Sequence, residues 1–249
     1  MRLPSTCFWT CLFISVLTAV DAEAQSALRD SVTSDPAYAA ALNQYHNYIA
    51  PEVGLYRGMQ YVDYDYTVQK GQPFYGPDSI RVGTVWYNGI RYDQVRMLYD
   101  LVKDQLVIND PFRVYKISLF MDMVDSFALD DHRLIKLRDT LAASWMRNGY
   151  FEELYRGHIL LLKREQKALH ENLVISSDNI RWFIDGSTNY YLKNPGGYHS
   201  VNSKREVLNL FKDRRSEVRK LIRKNKLSWH DDKEKILLTI AAWSDGANH

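Results

Sequence analysis

Both cysteines of this 249-residue chain, Cys7 and Cys11, fall within its first eleven residues. A chain trimmed of that segment has no disulfide and no cysteine to ligate a metal, and holds itself by its core alone. Glycine (12) and proline (7) are too scarce for a collagenous or low-complexity protein. No apolar run after Val20 is long enough to span a membrane as a helix. There is no Gly-x-Ser-x-Gly elbow, no glycine-rich phosphate loop and no dinucleotide fingerprint, Pro195-Gly196-Gly197 reading as a turn. No motif fixes a chemistry, and no cofactor is implied. Charge of one sign is also lacking overall, with 32 Lys and Arg against 30 Asp and Glu.

What is there begins with an address. Arg2 precedes an apolar run of 14 residues, 7–20, followed by Ala22-Glu23-Ala24. Positive end, apolar centre and small-x-small site are the parts of a secretory signal, expected to occupy 1–24 and to be cleaved before Gln25. A lipid anchor on Cys11 is not expected, because Phe8-Trp9-Thr10 replaces the aliphatic and small residues such a site needs. The expected location is the periplasm or outer-membrane periphery, or outside the cell. Loss of Arg2, Asp21 and Glu23 leaves a net charge of +3.

Residues 25–35 are small and polar and read as a flexible leader. Asp35-Pro36 then suits a helix start, and Tyr38, Leu42, Tyr45, Tyr48 and Ile49 recur at helical spacing until Pro51. From about 55 to 200 the chain changes to short runs rich in Val, Ile, Tyr and Phe, punctuated by Gly, Asn, Asp and Pro. The clearest hairpin joins 80–87 to 90–95 through Asn88-Gly89, which tolerates the positive φ angles of a type I′ turn. A second joins 97–102 to 105–108 at Lys103-Asp104. Further strands are expected at 114–120, 133–137, 150–155, 158–164, 180–184, 188–192 and 197–201. Short connections favour antiparallel pairing. The expected fold is therefore mainly β: an antiparallel, multi-stranded curved sheet, as a sandwich or partial barrel, with a short N-terminal helix in a 36–202 domain and a helical segment at 203–249.

In that last segment Ser203, Asp213 and Asp231 or Asp232 are candidate caps for three amphipathic helices. Residues 203–226 hold ten basic and three acidic side chains, a local +7 that leaves the rest of the mature chain acidic. Arg214, Arg215, Arg219, Lys220, Arg223 and Lys224 are the candidate partner-binding residues. An exported chain meets little nucleic acid, and no basic-aromatic motif is present. The partners on offer are anionic lipid headgroups, lipopolysaccharide phosphates or an acidic protein surface. Long basic side chains also simply solvate helix faces.

Other candidates are weaker. His170-Glu171-Asn172-Leu173-Val174 begins like a zincin but has valine where the second histidine belongs. Asp63 and Asp65 share one side of a strand but lack the loop glycine and closing glutamate of a calcium loop. Asp130-Asp131-His132 pairs carboxylate with imidazole and also reads as a turn. Seventeen tyrosines and six tryptophans suit a sugar-binding face, and equally a half-buried sheet. The expected role is non-catalytic, an interaction or structural component of the cell envelope. A carbohydrate- or lipid-binding module on the aromatic sheet and a hydrolase with a non-motif site are its rivals.

The ordered blocks Leu55-Tyr56-Arg57-Gly58-Met59-Gln60-Tyr61-Val62, Val85-Trp86-Tyr87-Asn88-Gly89-Ile90-Arg91-Tyr92, Leu98-Tyr99-Asp100-Leu101-Val102-Lys103-Asp104-Gln105-Leu106-Val107 and Gly149-Tyr150-Phe151-Glu152-Glu153-Leu154-Tyr155-Arg156-Gly157 resemble a family of uncharacterised exported proteins of Gram-negative bacteria. Ser203-Lys204-Arg205-Glu206-Val207-Leu208-Asn209-Leu210-Phe211-Lys212-Asp213 and Ile222-Arg223-Lys224-Asn225-Lys226-Leu227 look like its closing segment. The resemblance implies export and a single structural unit, and it assigns no catalytic residue. The family often has Asn where this chain has Arg57, which disfavours a type I′ turn there.

Overall fold

A computed structural model describes residues 54–246 except 65–66, 111–113 and 175–178, together with Pro36, Ala37, Ala40, Ala41 and Gln44. The chain divides into two units, Met1–Val53 and Gly54–His249. The expected signal and leader lie outside the described residues. So does most of the expected helix at 36–49, whose five described positions are helical and exposed.

The second unit is mainly β, as its residue pattern implies. Its strands are β1 (Met59–Gln60), β2 (Val68–Lys70), β3 (Arg81–Tyr87), β4 (Ile90–Asp100), β5 (Gln105–Asn109), β6 (Lys116–Ser118), β7 (Val124–Leu129), β8 (His132–Lys136), β9 (Tyr150–Arg156), β10 (Leu160–Val174), β11 (Asn179–Asn194) and β12 (Gly197–Ser200). They form one curved, open sheet in the order β1-β6-β5-β4-β3-β7-β8-β9-β10-β11-β12, with β2 beside β11. Every pairing is antiparallel except the short parallel contact of β2 with β11. Three helices follow: α1 (Lys204–Leu210), α2 (Arg215–Lys224) and α3 (Lys233–Gly246).

Local chemistry explains the turns. Asn88 (φ 52°) and Gly89 (φ 77°) are both left-handed, the requirement of a type I′ hairpin. Asp104 (φ 53°) and Asp130 (φ 54°) turn the next hairpins, aspartate being tolerant of that region. Arg57 does not turn a hairpin: the chain there is a 3-10 turn, Gly54–Tyr56, closed by the Arg57 amide on the Gly54 carbonyl at 3.3 Å. Two expected breaks are also absent. Residues 90–100 run as one strand because Gln94 (φ 58°) forms a bulge, placing one extra residue opposite β3 and bending the sheet. β11 continues through Asp185-Gly186-Ser187, held by unbroken pairing with β10 from Leu160↔Lys193 to Val174↔Asn179. Cross-strand pairing here overrides a local turn signal.

Alternation places Val85, Met97, Tyr99, Phe127, Leu134 and Tyr150 on the inner face of the curl, all buried. Tyr99, Phe127 and Tyr150 form an aromatic triad with centroids 5.1 to 6.0 Å apart. Where the curl would gape, residues 72–75 lie as a strap between the end of β4 and β10. Tyr75 donates its amide to the Tyr99 carbonyl (2.8 Å), and Leu101 donates to Pro73 (2.9 Å). The Lys167 ammonium reaches across from β10 to the carbonyls of Gln72 (2.9 Å) and Phe74 (2.6 Å). Beneath the strap, Asp100 is 0% exposed and fully engaged. Its carboxylate accepts from the Tyr61 and Tyr64 hydroxyls (2.8 Å each) and from the amides of Val102 and Lys103 (2.9 Å each).

Strands β9 to β11 are covered on both faces. Leu161, Tyr190 and Leu192 on one face meet Val207, Val218, Ile236, Leu237 and Ile240 of the helices. Phe151 and Leu162 on the other meet Leu137, Ala142 and Met146. Ser203 caps α1 in a full capping box with Glu206. Asp213 does not cap α2: it lies inside the 3-10 turn Lys212–Arg214, and Arg214 takes the cap position with no side-chain bond. Asp232 stands before α3, its carboxylate accepting from the Ser228 amide at 3.2 Å.

Gly71 (φ 86°) brings the strap close to β11, where an added Cβ would lie 2.3 Å from the Ile184 carbonyl oxygen. Gly71→Ala is expected to cost more than about 1 kcal/mol, read as a lower urea midpoint, because it meets both a clash and an unfavourable φ. Gly54→Ala, with open space and ordinary φ, should stay within about 0.5 kcal/mol of the parent.

Candidate functional site

The six basic residues singled out in the sequence all lie at or on α2, but the structure divides them. Arg214 is stacked on the Trp243 ring, 4.0 Å from its centroid, and paired with Glu217 at 3.1 Å. Arg215 donates from Nε to the Leu208 carbonyl and from Nη2 to Asn209 Oδ1, both at 2.8 Å. These two arginines fasten α2 to α3 and α1. Arg219, Lys220, Arg223 and Lys224 instead stand exposed on the side of α2 away from buried Val218. Among the described residues, the side chains of Arg219, Lys220 and Lys224 make no hydrogen bond or ion pair. Arg223 makes one weak contact, from Nε to the Arg219 carbonyl at 3.4 Å.

The sequence reading missed a neighbour of this set. Lys204, the first residue of α1, joins Arg219, Ile222 and Arg223 around a surface dent of about 130 Å³. The nearby acid, Glu206, is turned away into the capping box, where it accepts from the Asn202 and Ser203 amides at 2.7 and 3.1 Å. The dent thus has a cationic rim and an apolar floor, with no carboxylate among its lining residues. Only the local basic composition hinted at Lys204.

A larger groove, about 330 Å³, lies at the β9–β10 and β11–β12 turns, lined by Arg156, His158, Lys193, Leu141 and Leu160 among others. Its cations are already neutralised. Arg156 grips Glu153 in a two-pronged pair, with Nε to Oε1 at 2.8 Å, and Lys193 holds Asp139. The His158 amide donates to Asp245, and Asn194 is engaged by the Gly196 amide. Groups that satisfy each other have little to offer a ligand.

A connected polar cluster lies inside the curl. Glu152, 5% exposed, accepts from the Tyr75 hydroxyl at 3.0 Å, faces His132 Nδ1 and pairs with Lys163 at 3.2 Å. Lys163 also meets Glu165 at 2.9 Å and Glu234 at 3.4 Å, and the Tyr190 hydroxyl donates to Glu234 at 3.1 Å. Burial pushes the Glu152 carboxyl up, but His132, Lys163 and Tyr75 together outweigh it and hold it below its usual range. Burial pushes Lys163 down, and its carboxylate partners raise it well above the ordinary lysine value. Tyr190 is pushed up to about 12 by burial and Glu234. An acid depressed by three partners is a poor proton donor at neutral pH, and the cluster reads as structural.

The remaining candidates are also placed. Asp63 pairs with Lys116, and Asp65 lies outside the described residues. His170 sits on a strand 3.8 Å from Asp185, not on the helix a zincin requires. Among the described residues, no group of three or more His, Cys, Asp or Glu side chains is placed to hold a metal. Asp130 and Asp131 are the turn between β7 and β8, and His132, the first residue of β8, meets a glutamate 20 residues away in sequence. Tyr61, Tyr75, Tyr87, Tyr99 and Tyr150 are buried, and half-buried Trp86 is flanked by Arg91 and Arg133 at 5.5 and 5.6 Å. No helix among the described residues is long and apolar enough to cross a membrane.

Fold and site together define an open antiparallel β protein with an unneutralised cationic helical face. No family model, curated protein or solved structure matches the chain.

Two pH limbs follow from the cluster. The depressed Glu152 contributes stability that is present above its unfolded value and lost as pH falls through its folded value. The raised Lys163 contributes stability present below its unfolded value and lost only at strongly alkaline pH. Glu152→Gln should cost about 3 kcal/mol near pH 7 by leaving Lys163 under-compensated. In urea melts across pH, that deficit should narrow as the parent is acidified.

Proposed function

We propose that the protein is a non-catalytic, exported component of the Gram-negative cell envelope that engages an anionic partner through the outer face of α2. It belongs, on this reading, with the family of uncharacterised exported proteins that its ordered sequence blocks resemble. The reading is supported by one observation above the others: Arg219, Lys220, Arg223 and Lys224 share an exposed face and, among the described residues, none of them makes an ion pair. By contrast, Lys163 inside the curl is paired with carboxylates, and so are Arg156 and Lys193 of the larger groove. A cluster left unpaired attracts counter-charge and speeds encounter with an anionic surface. Export is supported by residues 1–24, which have the three parts of a secretory signal. The self-satisfied carboxylate cluster and the burial of Tyr61, Tyr75, Tyr87, Tyr92, Tyr99, Tyr150 and Tyr190 weigh against the hydrolase and sugar-platform readings.

The test joins export with charge. Osmotic release from the host, followed by mass spectrometry, should find a chain starting at Gln25; retention of residues 1–24 in a cytoplasmic product would end the export claim. Crosslinking in intact envelopes should capture an anionic partner, and a variant with Arg219, Lys220, Arg223 and Lys224 changed to Gln should lose it while keeping its melting temperature. Arg214→Gln with Arg215→Gln should do the reverse, lowering stability by about 1 to 2 kcal/mol and retaining capture.

A further inference from the structure

The cationic face is not uniform, and a dent at its edge says what kind of anion it takes. Lys204 arrives from α1 while Arg219 and Arg223, one turn apart on α2, complete the rim of the dent. Three cations from two helices therefore face one small space. The Nε contact to the Arg219 carbonyl folds Arg223 along the helix, leaving its two terminal nitrogens free to donate. The floor is Ile222, half-buried and packed on the core beneath the helices, so the dent is fixed in position by apolar contacts below it. Guanidinium forks with an ammonium, without a competing carboxylate, match a tetrahedral oxyanion carrying more than one charge-bearing oxygen.

Size and surroundings narrow the source. A space of about 130 Å³, lined by Lys204, Arg219, Ile222 and Arg223, admits a phosphate group but not the organic moiety that bears it. The bearer must stay outside. Beside the dent, Lys220 and Lys224 extend the same face as an adjacent row one turn apart, exposed and, among the described residues, making no hydrogen bond or ion pair. A seat for one phosphate flanked by a flat row of further cations fits a surface on which phosphates recur side by side.

We infer that Lys204, Arg219 and Arg223 form a phosphate seat through which the protein docks on the anionic lipid headgroups of an envelope membrane. This rests on the reading of α2 as the interaction face, and adds both a ligand chemistry and a residue, Lys204, outside that reading. The lipid phosphate enters the dent, the three side chains donate to its oxygens, and Lys220 and Lys224 contact neighbouring headgroups.

The experiment uses the mature full chain and two triple variants that remove equal charge. Lys204→Gln, Arg219→Gln and Arg223→Gln empty the seat; Lys220→Gln and Lys224→Gln, with Lys226→Gln at the next exposed lysine beyond the end of α2, strip equal charge beside it. Binding is read by flotation with phosphatidylglycerol vesicles and with phosphatidylcholine vesicles at physiological salt, and by NMR titration with inorganic phosphate. The parent should float with phosphatidylglycerol only, and phosphate should shift the resonances of residues 204, 219 and 223. The seat variant should lose vesicle affinity on the order of a hundredfold and lose the phosphate shifts. The neighbouring variant should lose clearly less, on the order of tenfold, and keep the shifts. Equal losses in both variants would mean diffuse charge attraction and overturn the seat. Phosphate shifts without flotation would overturn the lipid source. Absence of both, with envelope crosslinking still dependent on Arg219 and Arg223, would overturn this inference and leave the interaction reading standing; loss of crosslinking as well would remove both.

Discussion

The strap at 72–75 is the constraint on which the rest of the fold depends. A sheet bent by the Gln94 bulge curls until its inner face is nearly enclosed, but β4 and β10 never pair as strands. Backbone groups at that gap must find partners or be left orphaned. The strap supplies them on the β4 side through Tyr75 and Leu101, and Lys167 supplies them on the β10 side by giving up hydration. Burial lowers the Lys167 ammonium accordingly, a sign that its two carbonyl bonds replace water. Asp100 performs the matching task from below, tying two tyrosines and a turn into one carboxylate.

With the gap bridged, the interior can hold charge. Glu152 and Lys163 lie on the same enclosed face as the aromatic triad, and a buried pair is sustainable only when its remaining donors and acceptors are met. Tyr75, an immediate part of the strap, meets one of them. The strap and the charge cluster are thus one device: displacing 72–75 would break backbone bonds at the gap and strip Glu152 of a donor together. The cations of α2 follow the opposite logic. They are exposed, cost the fold little, and are held in place by Arg214 and Arg215, which spend their charge on packing.

What could be read from the sequence was whatever is local. Asn88-Gly89, Asp104 and Asp130 announce their turns because left-handed backbone is a property of one or two residues. Ser203 with Glu206 announces a helix start for the same reason. β11 is hidden in the sequence because Asp185-Gly186-Ser187 is a turn in isolation, and the facing β10 keeps it extended. The strap has no periodicity to detect. Nor did alternation expose Glu152, since its strand places one glutamate on each face. The division of the basic residues depends on Trp243, 29 positions after Arg214, so composition could name the run but not the members free to act.

The helices are joined to the sheet by a shared core, not by a linker. Leu161, Tyr190 and Leu192 belong to the same strands whose opposite face packs on Leu137, Ala142 and Met146. A β-hairpin clamped on both faces has no soft joint to rotate about. Whatever grips α2 therefore fixes the heading of the whole second unit, so that a population of bound molecules would stand in one common attitude, each presenting the same side outward.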